Sequence, residues 1–252
     1  MKIEYPTERL IPGLRRLWQR AFGDSDAFLD AFFSTGYAPD HCRCIPEGNA
    51  PAAALYWLDM EHRGQKLAYL YAVATDPDAR GRGLCRSLMA DTATILKQSG
   101  YQGILLVPQD EGLRAMYSRM GYLPATTLEE SIHAAGEVAV SIAALSAEEF
   151  QAARFPFLPE NSPWLSAAPL HFLETQARFY QGEDFLAAVS REPEHLRILE
   201  YLGNPAQLPG LITALGRTEA TVRTPGGNLP FAMYLPLTPD CHKPDYVPFA
   251  FD

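Results

Sequence analysis

The first third of the chain passes from a helical to an extended hydrophobic pattern. Apolar residues recur at helical spacing over 10–22 and again over 26–33, which predicts two short helices. Residues 52–60 and 66–75 are apolar runs separated by a turn at 63–64, and this arrangement predicts a β-hairpin. Two helices are therefore expected before the first clear sheet.

A glycine-containing stretch after Thr75 interrupts the strand pattern. A helical period then returns and ends at Gly100, residues 104–107 form a short apolar strand, and a further helix ends at Gly121. An extended segment is expected to begin at Tyr122. The predicted order is two helices, strands, a glycine loop, a helix, a strand, a helix and a strand.

From about residue 127 the chain repeats a similar order of elements. The expected elements are an extended 138–143, a helix after Ser146, a helix over 169–180, strands over 185–189 and 196–202, a helix over 205–215, and strands over 220–223, 231–237 and 247–251. The repeated order predicts a tandem duplication, although no residue-level repeat is visible. We expect a mixed α+β fold with domains at residues 1–126 and 127–252.

Composition and charge narrow the classes of function. The 252 residues are 47% hydrophobic and 20% charged, which is ordinary for a globular protein of two medium-sized domains. The chain shows neither a membrane-length apolar run nor a secretory signal, so a cytoplasmic protein without a membrane partner is expected. The net charge of -9 disfavours nucleic acid and suits a cationic amine.

The four cysteines are too few and too unevenly spaced to predict a disulfide framework. His41, Cys42 and Cys44 could join Cys241 and His242 in a metal site, but a single C-x-C pair is a weak signal. Thiols that are buried or lie in loops are the favoured interpretation, and no metal is predicted.

The segment 73–89 runs from a strand through a glycine loop into a helix. We expect this segment to form the main functional site. Backbone N–H groups at such a helix start, together with the helix dipole, bind phosphate or diphosphate. The G-x-x-x-x-G-K-[ST] pattern of a P-loop is absent. A G-x-G-x-x-G dinucleotide loop is also disfavoured, because Arg86 stands at the third glycine position.

Two motifs in this half resemble those of the GNAT acetyltransferases. Residues 80–85, Arg-Gly-Arg-Gly-Leu-Cys, resemble the R-x-x-G-x-G/A loop, with Cys85 in the small-residue position. The Arg-x-x-Gly-x-x-Arg spacing of residues 80–86 also resembles the Eis acetyltransferases of the same superfamily. About thirty residues later, Tyr117-x-Arg119-x-Gly121-Tyr122 resembles the second GNAT motif, Y-x-K/R-x-G-F/Y.

The resemblance implies roles for individual residues. Acetyl-CoA would be the acyl donor, with its pantetheine arm on the strand Val73, Ala74, Thr75 and its diphosphate on Arg80, Gly81, Arg82, Gly83, Leu84, Cys85 and Arg86. Tyr117 would be the general acid that protonates the leaving thiolate, although a core tyrosine at helical spacing has the same pattern. The second half lacks an equivalent loop, so we expect a degenerate GNAT-like domain there.

The general base cannot be read from the pattern. Glu61 and His62 lie near a predicted strand end, but surface turn residues are the favoured interpretation. In Eis-like enzymes the C-terminal carboxylate acts near the active site, and the resemblance implies a catalytic role of the same kind for Asp252.

The predicted function is transfer of an acetyl group from acetyl-CoA to a primary amine of a small molecule or peptide, by direct attack in a ternary complex. The alternative is a non-catalytic module that responds to CoA and contacts another protein. A homo-oligomer is compatible with either function. The enzyme is favoured because Tyr117 stands where leaving-group chemistry needs a proton donor.

Overall fold

The protein is described by a computed structural model that covers residues 2–192 and 194–247. Its helices are α1 Ile11–Phe22, α2 Asp26–Ala31, α3 Leu84–Gln98, α4 Glu111–Ser118, α5 Ala147–Arg154, α6 Ala167–Gln176 and α7 Leu208–Ala214. Its strands are β1 Cys42–Glu47, β2 Ala50–His62, β3 Gln65–Thr75, β4 Gly103–Leu106, β5 Leu123–Pro124, β6 Thr127–Ala134, β7 Ala143–Leu145, β8 Trp164–Leu165, β9 Ala177–Gln181, β10 Phe185–Ser190, β11 Arg197–Gly203, β12 Glu219–Pro225, β13 Leu229–Pro230 and β14 Met233–Pro236. Over the described ranges, every helix is too short or too polar to cross a bilayer.

The chain forms two compact units. The first contains the chain up to Leu123 together with Leu165–Phe172 and Tyr234–His242. The second contains Pro124–Trp164, Leu173–Met233 and the chain from Lys243 onward. An acetyl-CoA-binding domain over residues 1–126 and a degenerate domain over 127–252 were expected from the sequence. This division of roles stays a prediction.

The first unit is built on a sheet in the order β1-β2-β3-β4-β14-β5. The β1, β2 and β3 strands are antiparallel neighbours, and β4 runs parallel to β3. Along β2 nearly every residue is buried, because helices cover both faces of the sheet. Leu14, Leu17 and Trp18 form the buried stripe of α1, which ends at Gly23 in a left-handed C-cap.

The second unit has its own mixed sheet, in the order β13-β6-β12-β11-β10-β9-β7. Only the β11 and β12 pair is parallel among the registers described for this sheet. A fully buried ion pair joins Arg154 to Glu200 through contacts of 2.8 and 2.7 Å, and the Tyr246 hydroxyl donates to the same carboxylate at 2.8 Å. This network fixes α5 and the Tyr246 segment to β11.

Two mixed sheets with helices confirm the α+β class, and the individual elements show where the sequence was misleading. Strands β1 and β6 were not predicted, and of the extended segment expected over 138–143 only Ala143 lies in a strand, β7. The helix predicted over 169–180 ends at Gln176, because the following residues pair with β10 as strand β9. Of the predicted strand 247–251, only Val247 is described, and it is not in a strand.

Candidate functional site

The central feature of the first unit is a gap between two parallel strands. The β3–β4 pairing ends at Tyr69 and Leu105, while β3 continues to Thr75. On its other edge, β3 has a β-bulge: Ala72 and Val73 together lie opposite the single residue Leu55 of β2. Ala72 has a φ of 48°, unusual for a residue with a side chain. Because the pairing with β4 ends at Tyr69, the edge of the predicted pantetheine strand is not hydrogen-bonded to β4 among the described residues and can meet an extended ligand.

The glycine loop lies between this strand and α3. Gly81 and Gly83 have φ values of 76° and 74°, in the left-handed region that suits glycine. Both are exposed, and Gly83 is the N-cap of α3 without a side-chain cap. Within the described chain, none of the amides of residues 81–86 donates a hydrogen bond to the protein. Six available N–H groups at a helix start form a ready anion site.

Ion pairs hold the loop in place from two sides. Arg20 of α1 binds the carboxylates of Asp76 and Asp78 at 2.7 and 2.9 Å. Arg82 forms a two-pronged contact with Glu47 at the end of β1. This hydrogen-bonded pairing lowers the pKa of Glu47 and raises that of Arg82. The predicted rim charge of Arg82 is therefore already paired.

Arg80 and Arg86 differ from Arg82 in their contacts. Both side chains are exposed, and neither has a hydrogen bond or ion pair in the described part of the chain. They are the two guanidinium groups of the loop that can meet a phosphate without first releasing a protein carboxylate. Leu84, by contrast, is buried under the loop and anchors the first turn of α3.

Tyr117 is on α4, the helix that follows β4. Asp110 caps this helix by accepting the Leu113 amide at 2.7 Å. The side chain of Tyr117 is buried, and no described residue hydrogen-bonds its hydroxyl. Burial raises the pKa of Tyr117, and the nearby Cys85 and Asp110 add to the shift. The phenol thus keeps its proton at neutral pH and has it available for a ligand.

Cys85 and Tyr122 stand beside Tyr117. Burial raises the pKa of the Cys85 thiol, so it is a neutral small group at the loop. The Tyr122 ring centroid lies 5.8 Å from that of Tyr117, and the buried Tyr122 hydroxyl has no hydrogen-bond partner among the described residues. The two predicted GNAT motifs are thereby brought to one place in the first unit.

The remaining sequence candidates have other environments. Cys42 and Cys44 are buried thiols on β1, whereas His41 hydrogen-bonds Asp40 and Asp59. No group of three or more potential metal ligands occurs in the described ranges.

The candidates for the general base differ in their exposure to solvent. Glu61 is exposed, but His62 is 1% exposed within β2, so the expected surface turn is wrong for His62. It pairs with Gln65 in the hairpin register, directly before the turn, and is nevertheless buried. Asp252 lies outside the described residues.

Three contributors to the site could not be anticipated from the motifs. Arg20 and Glu47 reach the loop from distant elements, and the bulge at Ala72 depends on pairing with β2. For Arg20 and Glu47 the only sequence signal is charge complementarity with the loop residues. That signal does not identify partners without the fold.

A glycine turn at a helix start, beside a gap between parallel strands, is typical of proteins that bind phosphate-bearing ligands. Residues 2–125 match the family model described as an acetyltransferase (GNAT) domain, and the chain carries that domain. The match covers just under half of the chain and shows a GNAT acetyltransferase domain over these residues. No curated protein matches the chain.

Solved structures share the fold across both units at low sequence identity. A GCN5-related N-acetyltransferase from Anabaena variabilis is 14% identical with a TM-score of 0.72, covering 94% of this chain and 73% of that chain. Eis1 from Mycobacterium abscessus is 14% identical with a TM-score of 0.59, covering 91% and 66%. A tandem GNAT protein from the clavulanic acid biosynthesis pathway is 12% identical with a TM-score of 0.57, covering 95% and 100%. The likeness to the tandem protein confirms a second GNAT-like fold after the first.

Proposed function

We propose that the protein transfers an acetyl group from acetyl-CoA to a primary amine of a small molecule or peptide. The observation that carries the proposal is the set of unbonded amides at residues 81–86 beside the open edge of β3. A diphosphate fits the first feature, and a peptide-like pantetheine arm fits the second. The hydroxyl of Tyr117 provides a proton donor in the same unit.

The loop and the strand bind and orient the donor. The amides of residues 81–86 hold the diphosphate, with Arg80 and Arg86 adding positive charge. Backbone groups of Val73, Ala74 and Thr75 align the pantetheine arm and present the thioester at the gap. This positioning, together with amides directed at the developing oxyanion, supplies most of the barrier lowering.

Acyl transfer proceeds by direct attack in a ternary complex. The nitrogen lone pair of the neutral amine forms a C–N bond to the acetyl carbon, and the C–S bond breaks as the tetrahedral intermediate collapses. Tyr117 gives its proton to the departing thiolate, and the attacking nitrogen loses a proton to solvent or a base. A phenol suits this role because it hydrogen-bonds the sulfur first and protonates it afterwards.

The proposal is tested first by titration calorimetry of acetyl-CoA into the full chain. Binding with one site per chain is expected, and absence of binding at high protein concentration contradicts the proposal. Release of free thiol is then followed with a panel of primary amines. Binding without thiol release from any amine would favour the CoA-responsive module instead.

The role of Tyr117 is tested by Tyr117→Phe. Turnover is expected to fall by about 10²- to 10⁴-fold, the usual contribution of a general acid, with acetyl-CoA affinity unchanged. Tyr201→Phe is the matched control, because Tyr201 is a buried tyrosine of the second unit whose hydroxyl donates to the Asn204 carbonyl. Unchanged turnover in Tyr117→Phe removes this residue from the mechanism.

A further inference from the structure

An aromatic cluster lies under α1 and α2 on one face of the first sheet. We define it by the six residues Trp18, Phe32, Phe33, Tyr37, Tyr56 and Tyr71. The ring centroids of Trp18 and Phe32 are 4.7 Å apart, and Trp18 lies 5.1 Å from Tyr56. Phe33, Tyr37 and Tyr71 are only half-buried. Arg15 lies over the Phe33 ring at 5.5 Å and Phe172 lies 6.0 Å from Tyr71, so the aromatic cluster combines a buried floor with a partly exposed rim.

The aromatic cluster is on the opposite sheet face from α3. Trp57 donates to the Tyr101 hydroxyl at 3.1 Å just beyond α3, and Arg43 binds Asp91 of α3 at 2.7 Å. Tyr56 precedes Trp57 in β2, and successive strand residues point to opposite faces. A ligand whose phosphates are held at the start of α3 approaches the gap from one face. The other face is left for its reaction partner.

Tyr71 connects the aromatic cluster to the gap. It is the last paired residue of β3 before the bulge, two positions ahead of Val73 in the predicted pantetheine strand. Its ring centroid is 5.5 Å from Trp18 and 5.7 Å from Phe32. Aromatic surface thus reaches from the sheet interior to the point where the thioester would lie.

Two local features mark the aromatic cluster as more than core packing. Phe32–Gly36 forms a π-helical segment, in which Thr35 donates to the Ala31 carbonyl at 2.7 Å, and such segments occur often at functional sites. The hydroxyl of Tyr56, a residue that is 2% exposed, has no hydrogen-bond partner among the described residues. A buried phenol without a partner is costly unless a ligand or water completes its bonding.

We propose that the aromatic cluster binds the acceptor, and that the acceptor is a primary amine carried on an aromatic ring with a polar substituent. The proposal rests on the acyl transfer proposed above. The rings of Phe33, Tyr37 and Tyr71 pack against the acceptor ring, and the Tyr56 hydroxyl pairs with its polar substituent. The amine nitrogen then lies at the gap, beside the thioester.

The ring contact is tested by comparing 2-phenylethylamine with n-butylamine as acceptors. The wild-type protein is expected to favour the aromatic amine by at least about tenfold in kcat/KM, from offset or edge-on ring packing. Phe33→Leu is expected to remove most of this preference. Phe155→Leu is the control, because Phe155 is an exposed aromatic of the second unit. Equal kcat/KM values for both amines in the wild type, or an unchanged preference in Phe33→Leu, overturn the proposal.

Tyr56→Phe tests the hydroxyl separately from folding defects at Phe33. Tyramine is expected to exceed 2-phenylethylamine in kcat/KM with the wild type, and the two are expected to become equal in Tyr56→Phe. If Tyr56→Phe keeps the tyramine advantage, the polar contact is overturned.

Calorimetry of 2-phenylethylamine against the CoA-bound protein gives a readout that needs no turnover. Binding there is expected to weaken in Phe33→Leu and to persist in Phe155→Leu. Turnover of aliphatic amines without binding of the aromatic amine refutes the acceptor class while acyl transfer stands. Failure of acetyl-CoA itself to bind refutes acyl transfer and the acceptor proposal together.

Discussion

Replacing Gly83 by alanine isolates the contribution of the loop backbone. Gly83 has a φ of 74°, and a methyl group added to it meets no atom within 4 Å. The substitution therefore introduces no clash, and its cost is the left-handed conformation itself, about 1–2 kcal/mol for a residue with a side chain. The unfolding free energy is expected to fall by that amount.

The effect on the donor should exceed the effect on stability. In Gly83→Ala, relief of the backbone strain at residue 83 moves the amides of the first turn of α3 away from the donor phosphates. A hydrogen bond to a charged group contributes about 1.5–3 kcal/mol. Loss of one such bond corresponds to about a ten- to hundredfold weaker affinity for acetyl-CoA. Calorimetry measures that affinity, and urea denaturation followed by circular dichroism measures the stability.

Gly23→Ala is the matched control for Gly83→Ala. Gly23 ends α1 with a φ of 79°, and its added methyl group would also meet nothing within 4 Å. Both variants should lose similar stability, but only Gly83→Ala should lose acetyl-CoA affinity. If Gly83→Ala binds acetyl-CoA as tightly as the wild type, the loop amides do not hold the donor and the proposed site is wrong.

Three further predictions concern stability. Glu200→Gln removes the carboxylate that pairs with the buried Arg154 and should cost about 3–5 kcal/mol in urea denaturation, whereas Glu130→Gln, at a more exposed ion pair, should cost less than about 1 kcal/mol; equal losses would contradict this account. Tyr56→Phe should raise the unfolding free energy by about 1 kcal/mol by removing a buried hydroxyl that has no partner within the described ranges, and a loss of stability would show that the hydroxyl is bonded. Burial lowers the pKa of His41, but hydrogen bonds to two carboxylates outweigh burial and raise the pKa above its usual 6.5. The stabilisation that protonated His41 provides is therefore complete below about pH 6.5 and is lost as the pH rises through the raised pKa. The difference in unfolding free energy between wild type and His41→Gln should shrink from pH 6 to pH 8, and growth of that difference would refute the assignment.

Elements with a strong local pattern could be predicted from the sequence. The stripe of α1, the β2–β3 hairpin and the start of α3 at Leu84 all carry their signals within a few residues. The glycine loop belongs to the same class, because the left-handed conformations of Gly81 and Gly83 are a local property.

Elements defined by distant partners could not be predicted. Strand β1 contains Arg43 and Pro46, which obscure its alternation, and it is a strand because β2 pairs with it. Strand β6 carries charged residues and the exposed Ile132, so its hydrophobic signal is weak. The boundary at Gln176 is set by pairing of the next residues with β10, which overrides local helical spacing.

The position of β14 affects how this protein folds during synthesis and where the chain can be truncated. This strand, Met233–Pro236, is inserted between β4 and β5, although more than a hundred residues separate it from either in the chain. The chain must therefore be synthesised at least as far as Pro236 before the sheet of the first unit can close. A fragment ending near residue 126 would expose two bare strand edges and tend to aggregate, so screening and engineering should begin from the whole chain.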